Sequence, residues 1–543
     1  MKPRARRFLP PAIALLVAAL ACAPRASAHQ WPHLFDRFPP APPTIDPGPD
    51  AATLRIRLIE AATGKPTSAS ICVNNGNHEP DDRNHPLKEF SHRRHGNQQQ
   101  GPIRLRDFAY AFYADGQATV RVRPGPVTIA VRKGYEYRPV EITLDAAAKA
   151  EIAVDVPLTR AIDMAALGWF SGDTHIHIER TGKNDDAILA LTSAEDIRYA
   201  FLLSFNTKGY DAGVGYESHR QHTGVGEASL ARRDVYHLTS GQEYRARRFG
   251  HVTIALADRY VAAGGTTDDV ERGPSLGTIA DQAHAARGFI ALAHGGYFEK
   301  EADRLLLERK MDFLELLQFG EHRSLGLAGW YDFLNIGFRL PIIGACDYPT
   351  TQRLGSEITY AWSDTVPTPR GYAEALAAGR SFATSGPMLF LTVDGKKPGE
   401  ILRFTHGTPR TLRLEARVYS PQHRVRFLDL IVNGKVVERR FDAAGRSEFF
   451  LAHLLPLGGS CWIAAHAHGD GGTEAHTNPV FAYVDDRHPF VPASARNILA
   501  RLDGSAAAIA MPEVNTRIDA LKAELQRHLR DGRSALPLPP IPP

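Results

Sequence analysis

Cysteine is scarce in this chain: four in 543 residues, with no Cys-x-x-Cys pair. That excludes a cysteine-built zinc site and a disulfide framework. Once a leader is set aside, Cys72, Cys346 and Cys461 remain and read as buried free thiols. A surplus of positive charge is lacking too. Lys2, Arg4, Arg6, Arg7 and Arg25 are five of the 64 basic side chains and lie in the first 28 residues, which hold no acid. The other 59 face 60 acidic ones, so nothing argues for nucleic acid as a partner. Long apolar runs are also missing. The longest, Ala12 to Ala23, falls short of the roughly 20 residues that a membrane span needs. With 43% hydrophobic and 23% charged residues, the composition excludes wholesale disorder, a coiled-coil rod and a collagen-like chain.

Residues 1–28 have the form of a secretory signal: a basic start, an apolar run and a small-residue site at Ala26-Ser27-Ala28. The expected location is periplasmic or secreted. Ala19-Leu20-Ala21-Cys22 is a poor lipoprotein box, and Arg6-Arg7 fits a twin-arginine signal loosely. Cleavage after Ala28 would expose His29, but the Pro-rich stretch behind it suits a linker over residues 29–50 better than a copper ligand set.

From 51 to 160, short alternating runs such as Leu54-Arg55-Ile56-Arg57-Leu58 predict an antiparallel β-sandwich. Its polar middle, with His78, His85, His92 and His95 at irregular spacing, reads as a solvated loop. From 165 to 390, strand-like runs alternate with amphipathic helices, the pattern of an α/β domain. Strands return over 391–486, with Asn433-Gly434 as a hairpin turn, and predict a second sandwich. Residues 487–543 form an extension, helical over 512–532 and Pro-rich at its tail.

The α/β section repeats one feature: an apolar run meets a metal-binding side chain at its end. His175 and His177 share one face of a strand, so both imidazoles can reach one cation. Glu243 follows Val235 to Gln242, and His251 opens the next run. His294 closes Ile290 to Ala293, and Asp347 closes Ile342 to Cys346. If the strands are parallel, these six converge on one rim. A lone His-x-His is weak, but six such residues in this pattern favour a metal site.

Gly172-Asp173-Thr174-His175-Ile176-His177 resembles the first motif of the polymerase-and-histidinol-phosphatase (PHP) superfamily of metal-dependent hydrolases. Gly379-Arg380-Ser381-Phe382-Ala383-Thr384-Ser385-Gly386-Pro387, His476-Thr477-Asn478-Pro479-Val480 and Gly168-Trp169-Phe170-Ser171 resemble segments of its CehA/McbA branch. The resemblance covers roughly residues 51–485. It implies a multidomain α/β chain, a distorted (β/α)7 PHP-like barrel flanked by two β-sandwich (Ig-like) domains. It also implies two divalent metal ions (Zn, Mn or Fe): His175, His177, Glu243 and Asp347 on one, and Glu243, His251 and His294 on the other. Three departures stand out. Phe205-Asn206 occupies the place of the family's Asp-His, Asp347-Tyr348-Pro349 lacks its closing His, and no further histidine stands near Thr181. These losses bear mainly on a third metal, which His219 or His222 could restore.

The expected activity is hydrolysis of a phosphoester, or of an ester, carbamate or amide bond, in a small-molecule substrate. Glu243 and Asp347 are the expected catalytic residues, and Asp173 would orient a histidine. Arg380 either holds an anionic substrate group or anchors a helix end. Tyr348 and His222 are the only proton donors that suggest themselves. Phe205, Tyr210, Tyr297 and Trp330 hint at an apolar pocket or belong to the core. The rival reading is a non-catalytic secreted binding protein for a glycan or protein ligand, built on a degenerate barrel. Oligomeric state is not legible.

Overall fold

The computed structural model describes residues 46–75, 87, 92–95, 98–102, 111–205, 224–246, 249–261, 274–296, 301–318, 325–348, 353–407, 409–509 and 511–532. The leader, most of the 29–50 stretch, His78, His85, Asn206, Tyr210, His219, His222, Tyr297, Pro349 and the tail lie outside the described residues.

The alternation read over 51–160 becomes a seven-stranded sheet. Along Ala52–Glu60, Leu54, Ile56 and Leu58 are buried while Arg55 and Arg57 are exposed. Inward residues of all seven strands join one apolar core. The pairing is antiparallel except between Ala52–Glu60 and Glu151–Leu158, which run parallel. Inside the stretch read as a loop, His92–His95 pairs with Gln98–Pro102.

The second sheet carries the candidate site. Its strands lie in the order Ile342–Gly344, Phe313–Leu317, Phe289–Leu292, Gly250–Ala255, Tyr236–Ala246, Tyr199–Phe205, Trp169–Ile176, Ile358–Trp362 and Ser381–Thr384. Trp169–Ile176, Tyr199–Phe205, Tyr236–Ala246, Phe289–Leu292, Phe313–Leu317 and Ile342–Gly344 point the same way, and Gly250–Ala255 runs against them. The sheet curls so that the chain beyond Gly344 returns to the first of these strands. There Ile176 bridges Tyr348, and the His177 N–H donates to the Tyr348 carbonyl at 2.7 Å.

Hydrogen bonding continues past Ser381–Thr384 into Glu474–Thr477, Cys461–Gly469, Val425–Val432 and Lys435–Arg446. A separate three-stranded sheet, Met388–Val393, Thr411–Tyr419 and Glu448–Pro456, shares the core of these last strands. Helices Ala302–Leu307, Gly326–Asn335, Pro492–Ile509 and Pro512–Asp531 pack in another core. Pro512–Asp531 follows the helical spacing read over 512–532 and stops at Gly532 in the left-handed conformation.

Helix Pro369–Ala377 starts at Pro369 behind a Thr368 cap, whose side chain accepts from the Gly371 N–H. Tyr372 and Leu376 on it join Phe170, Phe201, Leu203, Ala291, Phe313 and Ile343, one or two from each neighbouring strand. Tyr372 lies against Gly172, one turn of the pleat before the His-x-His pair. Its hydroxyl donates to the Thr359 carbonyl at 2.9 Å, and its ring stacks on Tyr199 at 4.7 Å. A Cβ on Gly172 would stand 2.5 Å from the Tyr372 Cζ. Gly172→Ala should therefore destabilise the fold by about 1–3 kcal/mol through overpacking, measured by urea denaturation. A midpoint equal to that of the wild type would mean the ring can move aside.

Candidate metal centre

Strand direction brings the side chains together. His175 and His177 end one forward strand, and Glu243 lies in another. His294 and Asp347 follow two more, each in the left-handed region, with φ of 53° and 51°. Few side chains adopt that conformation except His, Asn and Asp, and it turns the chain sharply just after the strand. His251 enters differently, at the start of the reversed strand Gly250–Ala255, so its beginning meets the ends of the others.

All six residues expected as ligands sit in one buried cluster. The Glu243 Oε2 lies 3.0 Å from His177 Nε2 and 3.6 Å from His175 Nε2. Its other oxygen lies 3.3 Å from His251 Nδ1 and 3.8 Å from His294 Nε2. Asp347 Oδ1 is 3.4 Å from Nε2 of both His175 and His177, and Oδ2 is 3.3 Å from His294 Nε2. Each carboxylate thus faces two sets of imidazoles with its two oxygens. Two groups of three could each hold a metal ion: His175, His177 and Asp347; and His175, Glu243 and His294.

The donor chemistry fits a cation. The Nδ1 of His175 meets Glu315 Oε2 at 2.8 Å, and that of His177 meets the Leu203 carbonyl at 3.0 Å. These partners take the N–H, leaving lone pairs on both Nε2 atoms, which face each other at 3.1 Å. Lone pairs aimed at one another and at carboxylates need a proton or a metal between them. Two donors each about 2.1 Å from one cation stand about 3.0 Å apart at a right angle and about 3.4 Å apart at a tetrahedral angle. Six of the gaps fall in that range, and those of Glu243 to His175 and His294 are wider, at 3.6 and 3.8 Å. Imidazole with carboxylate suits Zn, Mn or Fe.

Electrostatics points the same way. Burial opposes charge on His175, but Glu315, Asp347 and Glu243 outweigh it and raise its pKa well above the usual value. His177 is raised likewise against burial, by Asp347 and Glu243. Burial pushes Glu243 and Asp347 up, yet Arg245 with His175, and His175 with His177 and His294, hold them below the carboxylate range. His251 falls to about 4 through burial, and Arg245 adds to that.

Two contributors escape the sequence reading. Glu315 is fully buried, bonds His175, and accepts from Thr253 Oγ1 at 2.8 Å. A lone carboxylate inside Phe313-Leu314-Glu315-Leu316-Leu317 was its available signal. Arg245, two residues after Glu243 and so on the same face of its strand, donates Nε to Glu243 Oε2 at 2.8 Å. Its guanidinium lies 4.0 Å from the Phe205 ring centre, and Phe205 lies 4.5 Å from the His177 ring.

Other expected residues lie elsewhere. Arg380 does not join the cluster: it is exposed, and its carbonyl accepts from Trp362, which pairs with Trp169. Six residues of strand separate Trp169 from His175, roughly 20 Å at about 3.3 Å per residue. Arg380 follows the end of helix Pro369–Ala377, and its N–H donates to the Ala375 carbonyl. Tyr348 meets the site through its carbonyl, while its ring belongs to the core with Tyr113 and Tyr135. Asp173 Oδ1 accepts the N–H of His175 and of Cys346, so it fixes backbone rather than an imidazole, and burial raises its pKa to about 7. Trp330 is a core residue, donating to the Leu340 carbonyl. Among the described residues no disulfide joins Cys72, Cys346 and Cys461, of which Cys346 and Cys461 are buried and Cys72 half-buried.

No family model matches the chain, and no curated protein does. Among solved structures, the lesion-specific endonuclease PfuEndoQ of Pyrococcus furiosus is similar over 38% of this chain and 56% of its own, at 16% identity and a TM-score of 0.25. Fibronectin(III)-like modules of Clostridium thermocellum CbhA are similar over 24% of this chain and 60% of theirs, at 16% identity and a TM-score of 0.13. The chain spans less than two thirds of either, and overlaps this loose carry no argument about fold or activity.

Two measurements test the centre. The raised pKa of His175 and His177 makes protons compete with metal for their Nε2 atoms. Uptake of Zn or Mn in unbuffered solution should acidify it, and affinity should rise between pH 6 and 8; a pH-independent affinity would place the metal elsewhere. Glu315→Gln should weaken the metal by about 10–100-fold in competition with a chromogenic chelator, and unchanged affinity would reduce Glu315 to packing.

Proposed function

We propose that this chain is an exported metal-dependent hydrolase with a dinuclear centre, similar to the CehA/McbA branch of the PHP superfamily and built on a distorted (β/α)7 scaffold. The observation that supports it most is the double-facing geometry of Glu243 and Asp347, whose paired oxygens each address two imidazole sets. Export rests on the form of residues 1–28.

His175, His177, Glu243, His251, His294 and Asp347 would hold two divalent cations. When bound, these supply Lewis acidity toward a phosphoryl or carbonyl oxygen and lower the pKa of water between them. The rest falls to the chain. Glu315 and the Leu203 carbonyl keep His175 and His177 in the tautomers that present Nε2. Phe205 covers the His177 ring and keeps that side dry, which strengthens every charge interaction there. Arg245, and not Arg380, is the guanidinium close enough to orient an anionic substrate group beside Glu243. Phosphoesters and aryl ester, carbamate or amide bonds both fit this chemistry in a small molecule.

The test compares 4-nitrophenyl phosphate with 4-nitrophenyl esters and carbamates, on protein purified without chelators. About two metals per chain and turnover of one class are expected. Glu243→Gln should bring turnover to background while the circular dichroism spectrum stays that of the wild type. Wild-type protein that holds metal yet is inert toward every class would overturn the enzyme and leave the non-catalytic binding protein.

A further inference from the structure

The segments around Gly379 and Asn478, which the metal centre does not use, meet at the opposite end of the sheet. There a cavity of about 320 Å³ is lined by Arg339, Pro341, Gly379, Gly399, Pro479 and Phe481 among others. Its walls are fixed. Asn478 Nδ2 donates to the Ile342 carbonyl and to Ser381 Oγ, and its Oδ1 accepts from the Ile342 N–H. Gly399 presses on the helix end so closely that a Cβ would lie 2.6 Å from the Ala378 carbonyl oxygen.

Arg339 is the charged side chain of the lining, and no acid stands with it there. The Arg339 guanidinium lies 5.4 Å from the Phe481 ring centre and donates Nη2 to the Gly399 carbonyl, while its buried Nε has no hydrogen-bond partner. Among the described residues it forms no ion pair, and Arg403 next to it pairs with Asp486 instead. Arg380 and Lys397 stand 5.5 and 4.9 Å from the ring of one Trp362, whose Nε1 donates to the Pro398 carbonyl, one residue before Gly399. The nearest acid of that loop, Glu400, is taken by Lys396 and by the Lys397 N–H. His488 feels the same field: burial and then Arg339 and Arg309 push its pKa down to about 4. Of the last helix carbonyls, those of Glu374, Ala375 and Leu376 are taken by the N–H groups of residues 378–380.

We infer that this cavity is a second ligand site, for a small organic anion whose carboxylate or phosphate meets Arg339, and whose flat apolar part lies against Phe481, Pro341 and Pro479. The volume is at the low end for small-molecule sites and suits a single substituted ring. A fixed cationic wall beside an aromatic floor gives both attraction and orientation.

Calorimetric titration of the full-length protein with benzoate, phenyl phosphate and inorganic phosphate tests this. One organic anion should bind saturably, more tightly than inorganic phosphate, and keep binding in Glu243→Gln. Arg339→Gln should weaken it about tenfold or more. Arg339→Lys, which keeps the charge but not the planar fork, should weaken it by about two- to fivefold and covers the case in which Arg339→Gln does not fold. Preference for benzoate or for phenyl phosphate assigns the anion as carboxylate or phosphate. No saturable binding by either organic anion would overturn the site. So would binding lost in Glu243→Gln but kept in Arg339→Gln or Arg339→Lys, which would place the anion at the metal centre.

Discussion

Three carboxylates buried at one end of a sheet impose the condition that the rest of this structure meets. Glu243, Glu315 and Asp347 are all but inaccessible to solvent, and an uncompensated ion in such a place costs several kcal/mol. Compensation comes from His175, which touches all three, and from Arg245 beside Glu243. The same acids raise the pKa of His175 and His177 against their burial. Removing any one member therefore leaves opposite charges without partners.

Meeting that condition fixes the course of the chain. Six forward strands deliver side chains to one rim, and a reversed strand delivers His251 from its beginning. His294 and Asp347 need left-handed backbone just past their strands, a strain that surrounding contacts must hold. Support comes from the same face of the sheet, further from the cluster along the strands. Gly172 leaves room for Tyr372, and the helix carrying that ring closes the space beneath the histidines. Behind it, Arg160 joins buried Glu136 and Asp196, to which Tyr360 and Tyr236 also donate, so the first sheet is fastened to the strands of the centre.

The ligand cluster was legible because its residues interrupt apolar runs at their ends, where packing alone gives no reason for His, Glu or Asp. Glu315 and Arg245 were not, since each lies inside a strand pattern and acts through a ligand. Arg380 misled: a motif shows which residues travel together but not at which end of a strand they fall. Alternation showed which faces turn inward but not which edges pair. The boundary at 390/391 could therefore be read as a separation, although hydrogen bonds from Phe382 to Thr477 carry one sheet across into the C-terminal strands. Helix Pro492–Ile509 hid behind Ser and Gly504, which weaken helical propensity; contact with Trp330 and its neighbours stabilises it instead.

A division of labour along the strands follows. Residues at the forward ends face the cluster, and those at the beginnings hold the frame. Asn478 shows the second kind. Its amide saturates both backbone groups of Ile342 and the hydroxyl of Ser381, fixing the strand that two turns of pleat later presents Asp347. Tightness at the beginning is thus the condition for precision at the end: a shift of one residue in register would send Asp347 to the other face of the sheet. The same rigid joint leaves a gap beside Arg339 that the frame does not need to fill, and fixed walls around unmatched positive charge are what a binding site requires.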